Sequence, residues 1–364
     1  MKKLREGVST GSCMTGGAEA SVIWQTTGKC PSVVKVDTPI GKTLYLDIIP
    51  REFGVCGVVK DAGDDPDVTN GSEIITKVEL FEEEGDISFF GGEGVGTITQ
   101  EGLKIPPGQP AINPVPRQMA EKAIRKIIGN KKANVTVSIP GGKELAKKTF
   151  NPRLGIEGGL SILGTTGIVN PMSEQALIDT IEVEMKVCLA EKYRYLIIAP
   201  GNYGLDFLKE QYSIEENDVV KCSNYIGQTI DMAVEQDCKG VLLVGHIGKL
   251  IKVSGGIMNT HSRWADCRMD LFATAALRAG IAGEKAVEFL DCVTTDDALE
   301  KCSEEERTRI MEKIMMRMEK YLNYRGKGEI QVGAVTFSNV YGILGKTEKA
   351  EELIERFRKE RHIQ

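Results

Sequence analysis

The sequence predicts an α/β protein of two domains: an N-terminal α+β domain with mixed or antiparallel strands and a C-terminal Rossmann-like α/β/α domain. The length of 364 residues favours two domains. Residues up to about 145 are rich in Gly, Pro, Val and Thr, with short strand-like runs. From about 150 onward, short apolar segments alternate with helix-long ones, which is typical of a parallel sheet with right-handed crossovers. We therefore predict domains at 1–147 and 148–364.

The first domain is predicted from four strand-like runs and two helical segments. The strands are Leu44–Ile49, Ile74–Phe81, Ile87–Phe90 and Val135–Ile139, and the helices are Met14–Thr26 and Pro116–Ile128. Because strand-like runs follow one another without an intervening helix, mixed or antiparallel pairing is expected.

The second domain is predicted from apolar strands separated by helices. The strands are Leu160–Leu163, Tyr195–Ala199, Val219–Cys222, Gly240–Val244 and Ile330–Phe337. The helices are Ser173–Glu191, Ile226–Asp237, a segment from about Gly248, Ser303–Tyr324 and Glu348–Arg361. Ser303 and Glu306 have the spacing of a capping box, so a helix should begin there.

Composition excludes several classes of protein. The formal net charge is -6 and the pI is about 5.5, which argues against the broad basic surface that binds nucleic acid. No apolar run reaches the roughly 20 residues of a membrane span. No signal peptide is recognisable, so a cytoplasmic protein is expected. The nine cysteines contain no Cys-x-x-Cys pair and predict no metal site.

Three segments of the first domain have the composition of ligand-binding loops. Ser9–Met14 places hydroxyls, including that of Thr10, before a helix of small residues. Free N–H groups there attract anions, but an ordinary N-cap of a tightly packed helix is the alternative. Asp61–Thr69 crowds four carboxylates, among them Asp64 and Asp65, which suit a cationic ligand as well as a solvated turn. Phe89–Thr97 contains Gly92, Glu93 and Gly94, where glycine permits close approach of backbone to a ligand or merely a hairpin.

The loop that follows is stiffened by prolines. Pro106–Arg117 would hold Asn113 and Arg117 toward a ligand at a reduced entropic cost. Further on, Thr165 and Thr166 lie in a predicted turn between a strand and a helix, a usual place for carboxylates or ribose in open α/β sheets. A plain βα turn is the alternative.

Two of the three histidines occur in the segment Val244–Ser262. His246 ends a predicted strand, where active-site residues commonly project, and is the candidate catalytic residue, although a structural histidine is equally consistent. Lys249, His261 and Arg263, with Arg117 and Arg153, would supply positive charge for a polycarboxylate.

Together these segments resemble the CbiD family of cobalamin biosynthesis. The resemblance is carried by Ser9–Cys13, Gly63–Thr69, Gly91–Thr97, Pro110–Arg117, Phe150–Glu174, Gly201–Gly204 and Val244–Ser262. The long central segment is the most specific of them. Ser9 and Ser12 stand where the family usually has threonine, and Gly16 and Gly17 where it tends to have alanine.

The resemblance implies methylation of C-1 of cobalt-precorrin-5B by S-adenosylmethionine, giving cobalt-precorrin-6A. The expected donor-binding residues are Thr10, Asp64, Asp65, Gly92, Glu93, Gly94, Thr165 and Thr166. The expected substrate-binding residues are Asn113, Arg117, Arg153, Lys249, His261 and Arg263. The partner would be a carboxylate-fringed small molecule, with no nucleic acid, membrane or resident metal, and a homo-oligomer is left open. A nucleotide-linked reductase and a non-catalytic tetrapyrrole carrier are the alternatives.

Overall fold

A computed structural model describes residues 4–363. Met1, Lys2, Lys3 and Gln364, which the sequence assigns to the two predicted domains, lie outside the described residues. The chain divides into a first compact unit that ends at Glu174 and a second that begins at Gln175. The division lies beyond the predicted boundary at 147/148 because residues 156–169 pair with strands of the first unit.

The first unit is a mixture of strands and helices. Its strands are β1 (Gly7–Val8), β2 (Val33–Asp37), β3 (Thr43–Asp47), β4 (Ile49–Pro50), β5 (Val55–Val59), β6 (Glu73–Glu84), β7 (Ile87–Gly91), β8 (Thr97–Ile98), β9 (Lys131–Ser138), β10 (Ile156–Glu157) and β11 (Ile168–Val169). Its helices are α1 (Thr10–Thr27), α2 (Pro114–Ile128) and α3 (Gly142–Ala146). A 3-10 helix spans Asn151–Leu154.

The main sheet of this unit has the order β4-β5-β6-β9-β7. Only the β7–β9 pair in it is parallel, so the predicted mixed pairing is confirmed. Helix α1 packs on this sheet, and glycine permits the contact: a Cβ on Gly17 would lie 2.8 Å from Thr76 Oγ1. Ser9 caps α1 by accepting a hydrogen bond from the Ser12 N–H at 3.1 Å, which typically stabilises a helix by about 1 kcal/mol.

The second unit is built on a mainly parallel sheet. Its strands are β12 (Tyr195–Ala199), β13 (Val219–Lys221), β14 (Gly240–His246), β15 (Gln331–Ser338) and β16 (Gly342–Lys346). Its helices are α4 (Glu174–Ala190), which starts at the boundary, α5 (Asn202–Tyr212), α6 (Ile226–Glu235), α7 (Ile247–Leu250), α8 (Arg268–Arg278), α9 (Gly283–Leu290), α10 (Thr295–Glu300), α11 (Glu304–Arg325) and α12 (Ala350–Arg361). The predicted capping box of Ser303 and Glu306 is present at the start of α11.

The strand order is β13-β12-β14-β15-β16, and only β16 is antiparallel to its neighbour. Both faces of the sheet are covered. Leu196 and Ile198 of β12 belong to the core formed with α4, α6 and α8–α11, whereas Ile197 and Ala199 belong to the core formed with α5 and α12. The alternation along one strand confirms the α/β/α arrangement.

The predicted strand Leu160–Leu163 is wrong. Leu160 and Ile162 make only isolated bridges, with Val95 and Ile112 of the first unit. The Thr165–Thr166 turn therefore does not lie at a strand end of the parallel sheet, which begins at Tyr195. Leu160 and Ile162 of this apolar run are buried instead in the core of the first unit, whereas Leu163 is exposed.

Among the elements that the sequence analysis missed are β2, β5, β16 and the helices α8–α10. None of the helices within residues 4–363 has both the length and the apolar character needed to cross a bilayer.

Candidate active site

The carboxyl ends of the parallel strands form one edge of the sheet in the second unit. Strand β12 lies between β13 and β14. After β12 the chain enters α5 on one face of the sheet, and after β14 it enters α7 on the other face. A pair of adjacent strands whose connections leave toward opposite faces opens a crevice, and ligands of open α/β sheets bind in such crevices.

The loop after β12 lies at this edge of the sheet. Gly204 lets α5 approach β14, because a Cβ there would lie 2.9 Å from Val244 O. Tyr203, on the first turn of α5, is 65% exposed. Lys249 of α7 donates from Nζ to Pro200 O at 2.6 Å, and burial lowers the pKa of its ammonium group. The loop thus holds a partly desolvated cation beside the end of β12.

His246 is the last residue of β14, as predicted. Its Nδ1 accepts a hydrogen bond from the Gly248 N–H at 3.1 Å, so the ring also caps α7. Its Nε2 lies 3.5 Å from Asp296 Oδ2. Desolvation lowers the pKa of His246, and the charge of Asp296 opposes this effect only in part. The imidazole is therefore neutral at pH 7.

Asp296 and Ser338 complete the surroundings of His246, and the sequence analysis did not find them. Ser338 at the end of β15 donates from Oγ to Asp296 Oδ1 at 2.6 Å. The rings of Tyr203 and Phe337 flank the imidazole, with centroids at 6.2 and 5.8 Å. Asp296 lies 50 positions after His246 in a run of Thr and Asp that reads as a helix cap, so sequence spacing gave no signal.

The glycine-rich segment after α7 reaches the end of β13. Thr260 N donates to Asn224 O at 3.0 Å. Lys252, only 3% exposed, donates from Nζ to Thr260 O at 3.1 Å. His261 and Arg263 follow as exposed residues on this segment. The structure therefore places Lys249 of α7, and His261 and Arg263 of the segment that follows it, at one edge of the sheet together with His246.

In the first unit, the start of α1 meets the segment 163–167. Thr10 Oγ1 accepts a hydrogen bond from the Leu163 N–H at 2.8 Å, and Ser12 Oγ donates to Gly167 O at 2.6 Å. Thr166 Oγ1 donates to Ile168 O at 2.9 Å, whereas Thr165 is exposed. Two predicted binding segments are thus adjacent, but most of their polar groups bond to the chain itself.

The predicted substrate-binding residues of this unit are also engaged. Asn113 Nδ2 donates to Ile162 O at 3.2 Å. Arg117 donates from Nε to Ile112 O at 2.7 Å, and burial lowers the pKa of its guanidinium group. Arg153 is half-buried in the 3-10 helix.

The acidic loop is held by internal contacts. Asp64 Oδ2 accepts from the Arg5 N–H at 2.7 Å, and Asp65 Oδ1 accepts from the Met172 N–H at 2.9 Å. The hydrogen bonds and charge of Arg5 are the main cause that lowers the pKa of Asp61 to about 2. The loop is therefore a folded turn with Asp64 on its exposed side.

The glycine-rich segment 91–97 is packed against backbone. Gly94 has φ +72, and a Cβ there would overlap Ile139 O. A Cβ on Gly92 would overlap Ser138 Oγ. Glu93 is exposed between them. The close approach that the glycines permit is to the protein's own chain.

Comparison with known proteins places the chain in a family. The CbiD family model matches residues 1–171, and the model of the CbiD C-terminal domain matches residues 259–348. A protein of Alkaliphilus metalliredigens named cobalt-precorrin-5B C(1)-methyltransferase is 41% identical over 97% of this chain and 95% of its own length. The chain belongs to the CbiD family.

Other relatives that are similar to this chain are also named cobalt-precorrin-5B C(1)-methyltransferase. The one from Thermoanaerobacter sp. is 45% identical over 82% of each chain, and the one from Methanocaldococcus jannaschii is 45% identical over 75% of this chain and 76% of its own. A crystal structure of the cobalamin biosynthesis protein cbiD from Archaeoglobus fulgidus matches with a TM-score of 0.39 and 26% identity, over 76% of this chain and 85% of that one.

The polar groups that could bind a ligand differ in charge between the two units of this CbiD-family chain. At the sheet edge of the second unit, amide, ammonium and imidazole groups suit a molecule that bears carboxylates. In the first unit, the exposed carboxylates of Asp64 and Glu93 suit a cation. Among residues 4–363, no three His, Cys, Asp or Glu side chains converge as a metal site would require.

Proposed function

We propose that this chain transfers a methyl group from S-adenosylmethionine to C-1 of cobalt-precorrin-5B, giving cobalt-precorrin-6A, and that it acts in the cytoplasm. The observation that carries the proposal is the 41% identity, over 97% of the chain, to a relative named for this reaction. The cationic groups at the sheet edge of the second unit support a carboxylate-bearing substrate.

Lys249, His261 and Arg263 are the proposed contacts for the carboxylates of the macrocycle. Arg263 and His261 are exposed, and Lys249 is partly desolvated beside the end of β12. A guanidinium group binds a carboxylate through two parallel hydrogen bonds, which fixes the orientation of a large planar substrate. A supporting role in substrate binding is proposed for three residues of the first unit. Asn113 and Arg117 donate hydrogen bonds to backbone carbonyls, and Arg153 lies in the 3-10 helix.

S-adenosylmethionine, when bound, supplies a methyl group on a positively charged sulfur that leaves as a neutral thioether. Asp64, Glu93 and Thr165 are the exposed members of the predicted donor-binding set. The two carboxylates would balance the positive charge of the donor, and the hydroxyl of Thr165 would accept or donate one hydrogen bond. Thr10, Asp65, Gly92, Gly94 and Thr166 would shape the loops that carry these groups.

Methylation of an unsaturated ring carbon leaves the macrocycle with a positive charge, which is relieved by the loss of a proton. The end of β14, where His246 lies, is proposed as the place of that proton transfer, because His246 ends a central strand at the edge of the sheet. The chain's main contribution would be positioning, since a sulfonium is already a good leaving group.

Anaerobic incubation with cobalt-precorrin-5B and methyl-labelled S-adenosylmethionine tests the proposal. We expect label in the macrocycle and a mass gain of one methyl group, both dependent on the donor. Hydride transfer from NADPH without label would indicate a reductase instead. Binding of the macrocycle that is indifferent to the donor would indicate a carrier, and either result would overturn the proposal.

A further inference from the structure

Both ring nitrogens of His246 already have partners in the second unit. The Gly248 N–H donates to Nδ1, so Nδ1 bears no proton and the neutral ring carries its proton on Nε2. Nε2 lies 3.5 Å from Asp296 Oδ2. In the neutral state Nδ1 is occupied by the Gly248 N–H and Nε2 already carries a proton, so neither ring nitrogen can accept a proton from a ligand.

The carboxylate of Asp296 also accepts a hydrogen bond from the hydroxyl of Ser338. The Val340 N–H donates to Ser338 Oγ at 3.0 Å, which leaves the hydroxyl proton of Ser338 for Asp296 Oδ1 at 2.6 Å. Oδ1 thus accepts one hydrogen bond, and Oδ2 lies 3.5 Å from His246 Nε2. A carboxylate has about four acceptor positions, so most of those of Asp296 are not used by these contacts.

Solvent exposure also favours Asp296 over His246 as the group that a ligand would contact. The side chain of Asp296 is 31% exposed and that of His246 is 19% exposed. Phe337 and Tyr203 lie beside the imidazole. A molecule bound at the sheet edge would therefore meet the carboxylate more readily than a ring nitrogen.

We infer that Asp296 accepts the proton released in the methyl transfer and that His246 is a positioning residue that orients Asp296. The inference rests on the proposed function. The new bond joins the ring carbon to the methyl carbon, the S–CH3 bond breaks with its electron pair going to sulfur, and the macrocycle's proton passes to an oxygen of Asp296. Solvent then removes that proton, so atoms and charge balance.

The groups around His246 and Asp296 determine how the rate of methyl transfer should depend on pH. Asp296 faces His246 from α10, Lys249 lies on α7 and Tyr203 on α5, while β15 contributes Phe337 and Ser338. When His246 becomes protonated, its positive charge stabilises the carboxylate of Asp296 and weakens it as a base. Because burial lowers the pKa of His246, the rate should fall only as the pH drops below the ordinary range of histidine.

The test compares Asp296→Asn with His246→Gln in the labelled-methyl assay. Asn keeps the shape of Asp296 but accepts no proton, and Gln places a neutral N–H donor near the position of Nε2. We expect Asp296→Asn to lower kcat at least 100-fold, within the usual range for a general base. His246→Gln should lower it less than about 10-fold and remove the inflection due to His246 from the pH profile. Asp291→Asn, an exposed carboxylate five positions earlier, is the matched control and should leave kcat unchanged.

A second variant protects the test against a folding defect. Asp296→Ala should be inactive, and added formate should restore part of its rate by supplying a carboxylate. A loss in His246→Gln as large as that in Asp296→Asn, or full activity in Asp296→Asn, would overturn the inference. Absence of labelled product with the unaltered chain would instead overturn the proposed function, so the two failures are distinguishable.

Discussion

The two units of the chain use similar polar segments in opposite ways. In the first unit, the hydroxyls, glycines and carboxylates of residues 9–14, 61–69 and 91–97 mostly bond to or pack against the chain itself. In the second unit, the loops at the carboxyl ends of β12–β15 hold a histidine, a carboxylate and several cations at one edge. Only there do the described contacts leave a group of reactive side chains gathered around one strand end.

The difference shows that composition and position carry different information. Glycine, Ser, Thr and Asp are equally suited to a ligand-binding loop and to a crossing where two backbone segments touch. Position at the carboxyl end of a parallel strand is more specific, because the strand register sets several loops side by side. Predictions that separate packing from binding therefore test the comparison directly.

The largest effect on stability is expected from Gly94→Ala. The new Cβ would overlap Ile139 O, and φ at this position is +72. Overpacking costs roughly 1–3 kcal/mol and the left-handed backbone roughly 1–2 kcal/mol more. We expect the free energy of unfolding, measured in urea, to fall by about 3 kcal/mol.

Gly141→Ala is the matched control for this change. Gly141 has φ +73, with nothing within 4 Å of an added Cβ. It should lose only the backbone contribution of about 1 kcal/mol. Equal losses in the two variants would contradict the account of segment 91–97 as a packed crossing.

Lys249→Met should act on binding rather than on folding. Removal of the ammonium group is expected to raise KM for the macrocycle about 10-fold, equivalent to about 1.4 kcal/mol. Burial lowers the pKa of Lys249, so charged Lys249 is partly desolvated. The relief of this desolvation should offset part of the loss of its hydrogen bond to Pro200 O, and stability should fall by about 1 kcal/mol or less. The same lowered pKa predicts that binding weakens at a less alkaline pH than for an exposed lysine.

Lys239→Met is the matched control for Lys249→Met, because Lys239 precedes β14 whereas Lys249 follows it. Lys239 is exposed and directly precedes β14. Its replacement should leave KM unchanged. Equal increases in KM would mean that net charge, rather than position at the carboxyl edge, governs substrate binding.

Thr10→Val should have the opposite distribution, with a loss of stability and no change in binding. It leaves the partly buried Leu163 N–H without its acceptor, which costs about 1 kcal/mol. Thermal unfolding should show this loss, while KM for S-adenosylmethionine stays unchanged. Thr165→Val, at the exposed end of the same region, should leave stability within about 0.5 kcal/mol. If KM rises in Thr10→Val and stability does not fall, the start of α1 is a ligand site.

The fold was predictable where the periodic pattern was long or where a strand was continuously apolar. Tyr195–Ala199 is observed with the predicted bounds, and α11 begins after the predicted cap at Ser303. Leu160–Leu163 was predicted wrongly, because a short apolar run also occurs in an irregular segment that is buried in a core. Helices α9 and α10 were missed because they have only 8 and 6 residues. Helix α8 has 11 residues, but alanine and threonine make up much of its apolar face.

The candidate site was predictable in part. His246 follows an apolar strand, so its position at the end of β14 could be inferred from local sequence. Asp296 and Ser338 reach it through tertiary folding from 50 and 92 positions away. Their own surroundings, a helix start and a strand end, have common structural explanations, and one sequence contains no signal that links them to His246.

The connection from β14 to β15 spans residues 247–330 and is mostly helical, and Asp296 lies in its middle. The His246–Asp296 contact therefore exists only when the connecting helices are packed against the sheet. Detachment of these helices from the sheet would separate the two side chains even if the strands stayed paired. Loss of the contact would therefore report that detachment.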